Sequence, residues 1–280
     1  MHRTFHYLVF EFAALLSGVL LLPCCHAQPT TQTPKMAGIA HVAFRVSDVS
    51  KARTFYKKLG YEEAFVLDQS GTPSEVFFKV NDRQFIELYP QRQPGQQVGF
   101  MHICFESNDL QGLHDFYVHR GLAPIAVRRA GAGNLLFTME GPEKQNIEYT
   151  QYMPGSRHSN DRGQHLGPHR ISQTIFAAGI AMQDPAAART FYLDELAFTP
   201  TSPIEPNHFS LVVPGAARQQ VEIIQKSSNT AFELFFSIND LRETAAQLKE
   251  LQIPVEKHRR MLSITDPDGN RLIFVSSKTK

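Results

Sequence analysis

The sequence predicts an α+β fold made of four copies of one strand–helix–three-strand (βαβββ) unit. Two repeats carry this reading. Ala52-Arg53-Thr54-Phe55-Tyr56 recurs without change as Ala188-Arg189-Thr190-Phe191-Tyr192, 136 residues later. Residues 105–110, FESNDL, return as FSINDL at 236–241. Self-similarity at a long fixed offset marks a duplicated structural unit. A third observation divides each half again: a short apolar strand, a polar cap and an amphipathic helix occur twice in each half.

The first unit opens on an apolar strand at 41–46, with Asp48 as helix cap. Val49, Ala52, Phe55 and Leu59 follow at helical spacing, and Gly60 suits the left-handed stop. Residues 75–80 and 85–89 read as strands between turn residues. The second unit has a strand at 101–106, a cap at Asn108 and a helix marked by Leu110, Leu113 and Phe116, then strands at 135–139 and 146–152. The third has a strand at 175–181, a cap at Asp184 and Pro185 in the first helical turn, then strands at 209–213 and 220–224. The fourth has a strand at 232–238, a cap at Asn239 and a helix through Leu241, Ala245 and Leu248, then strands at 260–264 and 272–275.

A chain of 280 residues accommodates two domains. Residues 154–170 are rich in Gly, Pro, Ser and His, lack periodicity and read as a linker between domains at 37–153 and 171–280. Its histidines, His158, His165 and His169, are expected to be solvated. Apolar residues make up 42% and charged residues 20%, which excludes disorder as the main state. Net charge is +1, with 28 basic and 27 acidic residues and no block of one sign. Nucleic acid is therefore not an expected partner, because phosphate-driven binding needs a basic surplus. Residues 1–27 combine Arg3, an apolar run from Phe12 to Pro23 and Cys25-His26-Ala27, the pattern of a secretory signal peptide. The run is too short to span a membrane comfortably, and Pro23 disfavours a lipid anchor at Cys24 or Cys25. The expected mature protein is unanchored and periplasmic or secreted; translation from Met36 would make it cytoplasmic. Cleavage near Gln28 leaves Cys104 alone, so no internal disulfide is expected.

The candidate site follows from the repeat. His41 and Glu87 are 46 residues apart, as are His102 and Glu148, and the two pairs are offset by 61. A lone strand His or Glu is ordinarily structural or solvent-facing. A matched quartet is different, because a carboxylate in apolar strands such as FIELY and NIEY is costly to bury without a partner. Two imidazole nitrogens and two carboxylate oxygens suit one divalent ion (Zn, Ni, Fe(II), Mn or Co) and leave open octahedral positions. Strand alternation adds Arg45, Phe85, Tyr89 and Cys104 as expected lining residues for a small-molecule substrate. Arg45 reads equally as an anion contact or a solvated strand end, and Cys104 as a small core residue before a ligand. The equivalent positions in the second half are Ala177, Glu222, Glu233 and Ile273, a poor donor set, so that half is expected to be degenerate. Only pairing of units within each half gives a complete quartet.

The segments GIAHVAFRVSDVSKARTFYKKLGY, QFIELYP, GFMHICFESNDL and NIEYTQY, with DPAAARTFYLDELAF and DPDGNRLIFV in the second half, resemble the vicinal oxygen chelate superfamily. That superfamily includes glyoxalase I, extradiol dioxygenases, methylmalonyl-CoA epimerase and bleomycin- or fosfomycin-resistance proteins. The resemblance implies two domains, each a cup-shaped, curved mixed sheet with helices outside. The His/Glu/His/Glu order is most similar to glyoxalase I. It implies His41, Glu87, His102 and Glu148 as metal ligands, Glu148 as proton carrier, and Arg45 as a contact to the glutathione part. The expected function is a divalent-metal-dependent lyase or isomerase, with Glu148 or Glu87 moving a substrate proton. Two alternatives stand beside it: an Fe(II) extradiol-type dioxygenase using His41, His102 and Glu148, and a non-catalytic small-molecule-binding protein. A monomer or homodimer is expected.

Overall fold

The first unit runs β1 (Met36–Val46), α1 (Val49–Lys58), β2 (Glu62–Gln69), β3 (Thr72–Lys79) and β4 (Phe85–Pro90). The second runs β5 (Gly99–Ser107), α2 (Leu110–His119), β6 (Arg128–Arg129), β7 (Leu135–Glu140) and β8 (Asn146–Gln151). A short helix, α3 (Arg157–Asn160), precedes the third unit. That unit has β9 (Ile175–Met182), α4 (Pro185–Thr190) continued by a π-helical turn over Phe191–Glu195, β10 (Thr199–Pro200), β11 (His208–Val213) and β12 (Ala216–Gln225). The fourth is β13 (Glu233–Ile238), α5 (Leu241–Glu250), β14 (Glu256–Lys257), β15 (Met261–Thr265) and β16 (Arg271–Ser276). This computed structural model describes residues 34–227 and 232–277, and the leader expected at 1–27 lies outside them.

Each half forms its own eight-stranded mixed sheet, ordered β2-β3-β4-β1-β5-β8-β7-β6 and β10-β11-β12-β9-β13-β16-β15-β14. Units therefore pair within halves, through the antiparallel contacts β1–β5 and β9–β13. Among the described residues, no helix is long and apolar enough to cross a membrane.

Aspartates start the helices. The Asp48 carboxylate accepts from the amides of Ser50 and Lys51, and Asp184 and Asp240 do the same at α4 and α5. At α2 and α5 the cap is Asp109 or Asp240, one residue beyond the expected asparagine, because those carboxylates reach the free amides of the first turn. The helices turn Ala52 and Tyr56, or Leu110, Leu113 and Tyr117, inward. There they join Val42, Phe44, Ile103 and Phe105 of the first sheet and Val221, Ile223, Leu234 and Phe236 of the second in one continuous core. Each such large apolar side chain contributes about 1.5–3 kcal/mol when fully buried.

Polar contacts join the two halves. Gln84 donates to the Ile175 carbonyl at 2.7 Å and accepts from the Ile175 amide at 2.9 Å. The Tyr56 hydroxyl donates to Asp266 at 3.1 Å. The segment 154–170 packs against the first sheet. Lys79 is completely buried and needs a counter-charge, which Asp161 supplies at 2.8 Å. Asp161 also takes the ammonium on its backbone carbonyl. The Arg157 amide donates to the Ala132 carbonyl at 2.8 Å. His158 is consequently buried rather than solvated.

Candidate metal centre

Register brings the four repeat-related residues together. Across β4, β1 and β5, Glu87 lies opposite Ala43, and Ala43 lies opposite His102. In the neighbouring row His41 lies opposite Cys104, which in turn lies opposite Glu148. The small Ala43 leaves room between Glu87 and His102. A bulge in β1 between Ile39 and His41 resets the pairing next to His41.

The side chains converge. His41 Nε2 lies 3.1 Å from His102 Nε2 and 3.4 Å from Glu148 Oε1. His41 Nδ1 lies 3.1 Å from Glu87 Oε1, off the line of a hydrogen bond, so this buried nitrogen has no hydrogen-bond partner. Proximity here is not pairing. The Tyr89 hydroxyl donates to Glu87 Oε2 at 3.2 Å. The His41, Glu87 and His102 side chains are almost fully buried, whereas that of Glu148 is 12% exposed.

Burial governs the charge states. It holds His41 well below 6.5, with the His102 and His158 imidazoles adding to the effect, and it lowers His102 to about 4. Burial, and then the Glu148 and Glu75 carboxylates, push Glu87 well above the ordinary carboxylate range. Burial raises Glu148 to about 7. The imidazoles are thus neutral and their lone pairs free to bind a cation.

His41, Glu87 and His102 bring their donor atoms within reach of one ion, whereas Glu148 groups with His41 and Cys104. Two donors about 2.1 Å from one ion, at right angles, lie about 3.0 Å apart. The two Nε2 atoms match that spacing. Among the described residues, the groups of three metal-donating side chains are His41/Glu87/His102 and His41/Cys104/Glu148, both at this centre.

A cavity of about 130 Å³ opens beside the quartet. His41, Glu87, Glu148 and Tyr89 line it, together with Glu75, Arg128 and His158, which the sequence reading left out. Arg45, Phe85 and Cys104 do not border this cavity, although the Cys104 thiol lies close to His41 and Glu148. Arg45 donates to the Gln97 carbonyl at 3.0 Å at the strand end. Phe85 and Cys104 are fully buried in a small apolar cluster with Ala40, Phe77 and Tyr152. Burial, and then the Glu148 carboxylate, raise the Cys104 thiol well above its usual range. Nothing local in the sequence distinguishes His158 or Arg128; both reach the cavity through tertiary packing.

In the second domain the matching register row is Glu222–Gly179–Glu233. Its acids are satisfied by the chain itself. Arg271 pairs with Glu233 at 2.7 Å, and the Ser210 hydroxyl donates to Glu222 at 2.7 Å. His208 Nε2 lies 3.0 Å from the same Glu222 oxygen. Ala177 and Ile273 fill the remaining positions with apolar groups.

Residues 38–149 match the model of the Glyoxalase/Bleomycin resistance protein/Dioxygenase superfamily. No curated protein sequence matches the chain. Among solved structures, the 2,3-dioxygenase LapB from Pseudomonas sp. KL28 superposes with a TM-score of 0.69 at 14% identity, covering 89% of this chain and 94% of that one. Homoprotocatechuate 2,3-dioxygenase from Brevibacterium fuscum, in complex with 3,4-dihydroxyphenylacetate, gives 0.66 at 15% identity, covering 90% and 83%. The Mn(II)-bound glyoxalase from Novosphingobium aromaticivorans gives 0.67 at 15% identity, covering 86% and 82%. These likenesses extend over both domains and concern the fold. Residues 38–149 thus match the glyoxalase/bleomycin resistance protein/dioxygenase superfamily, and the sheet order of that half is repeated in the other.

Proposed function

We propose that the first domain holds one divalent transition-metal ion through His41, Glu87, His102 and Glu148, and acts on a small molecule presenting two neighbouring oxygens. The observation behind this is the 3.1 Å approach of two neutral imidazole nitrogens beside two buried carboxylates. When bound, the ion supplies Lewis acidity to those oxygens, which eases loss of a proton from the adjacent carbon. Glu148 is the proton carrier. It borders the cavity, and its carboxyl, raised by burial in the metal-free protein, is placed to take a proton from a bound molecule and return it. Glu87 is more enclosed and is held by Tyr89, so it serves as a ligand. The reaction is then a glyoxalase-type isomerisation or lysis. If residues 1–27 are a leader, it takes place outside the cytoplasm. The test is the metal content of the purified protein, followed by turnover of hydroxy-ketone and thiohemiacetal substrates. Protein that purifies and reconstitutes without metal defeats the reading.

One observation favours a second reading. Glu87 lies at the Nδ1 edge of His41, while His102 and Glu148 face its Nε2. Either carboxylate together with His41 and His102 has the two-histidine, one-carboxylate composition of Fe(II) oxygenases, and in the His41/Glu87/His102 set the donors lie within mutual reach. Oxygen uptake with catechols after anaerobic Fe(II) reconstitution separates the two readings.

A further inference from the structure

We propose that His158, carried by the segment between the domains, is a substrate-binding residue of the first domain's site. It takes a hydrogen bond to or from a polar atom of the bound molecule outside the two chelating oxygens. The proposal rests on the reading of the quartet as a metal centre.

His158 is 3% exposed and lines the same cavity as His41, Glu87 and Glu148. Neither of its ring nitrogens has a hydrogen-bond partner in the protein. A buried imidazole with both nitrogens unmatched is costly, and such groups in folded proteins call for an explanation. The ring is also held in place. It stacks on Tyr152 at 4.6 Å and 17°, and meets the rings of Phe85, Phe65 and Phe77 edge-on at 4.9, 5.0 and 5.4 Å. These ring contacts use the faces and edges of the imidazole and leave both of its nitrogens unmatched, so packing does not explain the choice of histidine.

Its backbone is fixed from both sides. Ser156 caps the short helix by accepting from the Ser159 amide, and the buried Lys79–Asp161 pair anchors the far end. A neutral imidazole offers one donor and one acceptor. Burial holds His158 at about 3, so it stays neutral. The chemical class it suits is a compact molecule with two adjacent oxygens and a third hydroxyl, carbonyl or comparable polar atom.

The experiment uses the full mature chain loaded with Zn(II), and 4-nitrocatechol as a chromophoric probe with two adjacent oxygens and a polar third group. Wild type, His158→Phe and His158→Gln are compared for metal stoichiometry, melting temperature and probe affinity. The proposal expects one ion in all three proteins. It expects His158→Phe to melt at or above wild type, since it removes two unpaired polar atoms, yet to bind the probe about tenfold more weakly. His158→Gln, which keeps a donor and an acceptor, should retain most of the affinity. Equal probe binding by wild type and His158→Phe overturns the proposal, and points to ordered water as the partner of the ring. Lowered melting together with weakened binding also overturns it, since that is a purely structural role. Wild type that takes up no ion defeats the metal reading, and this proposal with it.

Discussion

His41 and His102 stand on adjacent antiparallel strands of different units, yet their Nε2 atoms come within 3.1 Å. Two neutral imidazoles gain little from each other at that distance beyond one hydrogen bond. Held by β1 and β5, they would supply half of the proposed cation site. His102→Ala should therefore reduce metal binding from one ion per chain to a small fraction of that at micromolar metal. The metal-free variant should keep its secondary structure, because the His102 side chain makes no other hydrogen bond among the described contacts and alanine keeps the backbone ladder. Elemental analysis with circular dichroism checks both outcomes; full stoichiometry in the variant removes His102 from the centre.

Metal affinity should depend on pH in a stated direction. The imidazoles are already neutral near neutrality, so they release no protons to an incoming ion. Glu148, raised to about 7 by burial, is largely protonated at pH 6 and must lose that proton to bind. Affinity should thus fall as pH drops from 8 to 6, by about tenfold per unit once below the carboxyl's titration point. Calorimetry in buffers of different ionisation enthalpy should show proton release at pH 6. Glu148→Gln should reduce that release to the share of Glu87, whose carboxyl burial also raises, and a flat affinity profile would exclude Glu148 as a ligand.

The metal-free protein carries a related stability cost. A carboxyl raised in the folded state withholds stability as pH climbs from its unfolded value through its folded value. For Glu148 that window runs from about 4.5 to about 7. Lowered histidines act oppositely: His102 costs stability as pH falls from 6.5 toward 4. Glu148→Gln should therefore raise the melting temperature of metal-free protein at pH 8 more than at pH 5. Saturating metal should reverse the order of variant and wild type at pH 8, because the ion stabilises only the chain that binds it.

Much of this arrangement can be read in the sequence, and the reason is periodicity. Duplication repeats both the apolar strands and the His/Glu spacing, so Glu87 and Glu148 can be aligned with each other before any geometry is known. The pairing of units within each half then follows from keeping one quartet in one domain. Strand β2 escapes because EEAFVLDQ has neither alternation nor a buried face; most of it is half-exposed. The lining residues escape for a different reason. His158 sits in a four-residue helix whose position is set by Lys79 and Asp161, 82 positions apart, a pairing that no local pattern encodes. Arg45 fails in the opposite sense: strand alternation gives its face, but the Gln97 carbonyl decides where the guanidinium goes.

The Lys79–Asp161 pair supports the cover over the cavity and can be tested without a substrate. Lys79 is wholly buried, and its other acid, Asp82, is 45% exposed on its side chain. Asp161→Ala removes the buried counter-charge, leaves the ammonium only the residue's backbone carbonyl and the half-exposed Asp82, and should cost about 3 kcal/mol in urea unfolding. Asp82→Ala should cost well under 1 kcal/mol, about what a surface pair is worth. Lys79→Met combined with Asp161→Leu should recover most of the loss, since apolar replacement of a buried pair is often close to neutral. Equal effects of the two aspartates would mean that Lys79 draws its compensation from the solvent side.

Arg128 and Arg45 separate an anion contact inside the cavity from one outside it. Arg128 lines the cavity with Glu75, Glu87 and Glu148, whereas Arg45 is occupied by the Gln97 carbonyl. Burial raises the Glu75, Glu87 and Glu148 carboxyls beside it, which weakens their claim on the guanidinium, so an anionic substituent should gain from Arg128. The comparison is 3,4-dihydroxybenzoate against catechol, which differ by one carboxylate. In Zn(II)-loaded wild type the acid should bind more tightly. Arg128→Ala should reduce that preference by about fivefold to tenfold, as expected for a partly exposed charge-assisted contact. Arg45→Ala should leave the preference within twofold of wild type. If Arg45→Ala removes the preference and Arg128→Ala does not, the substrate enters across the strand ends and the cavity beside the quartet is not its path.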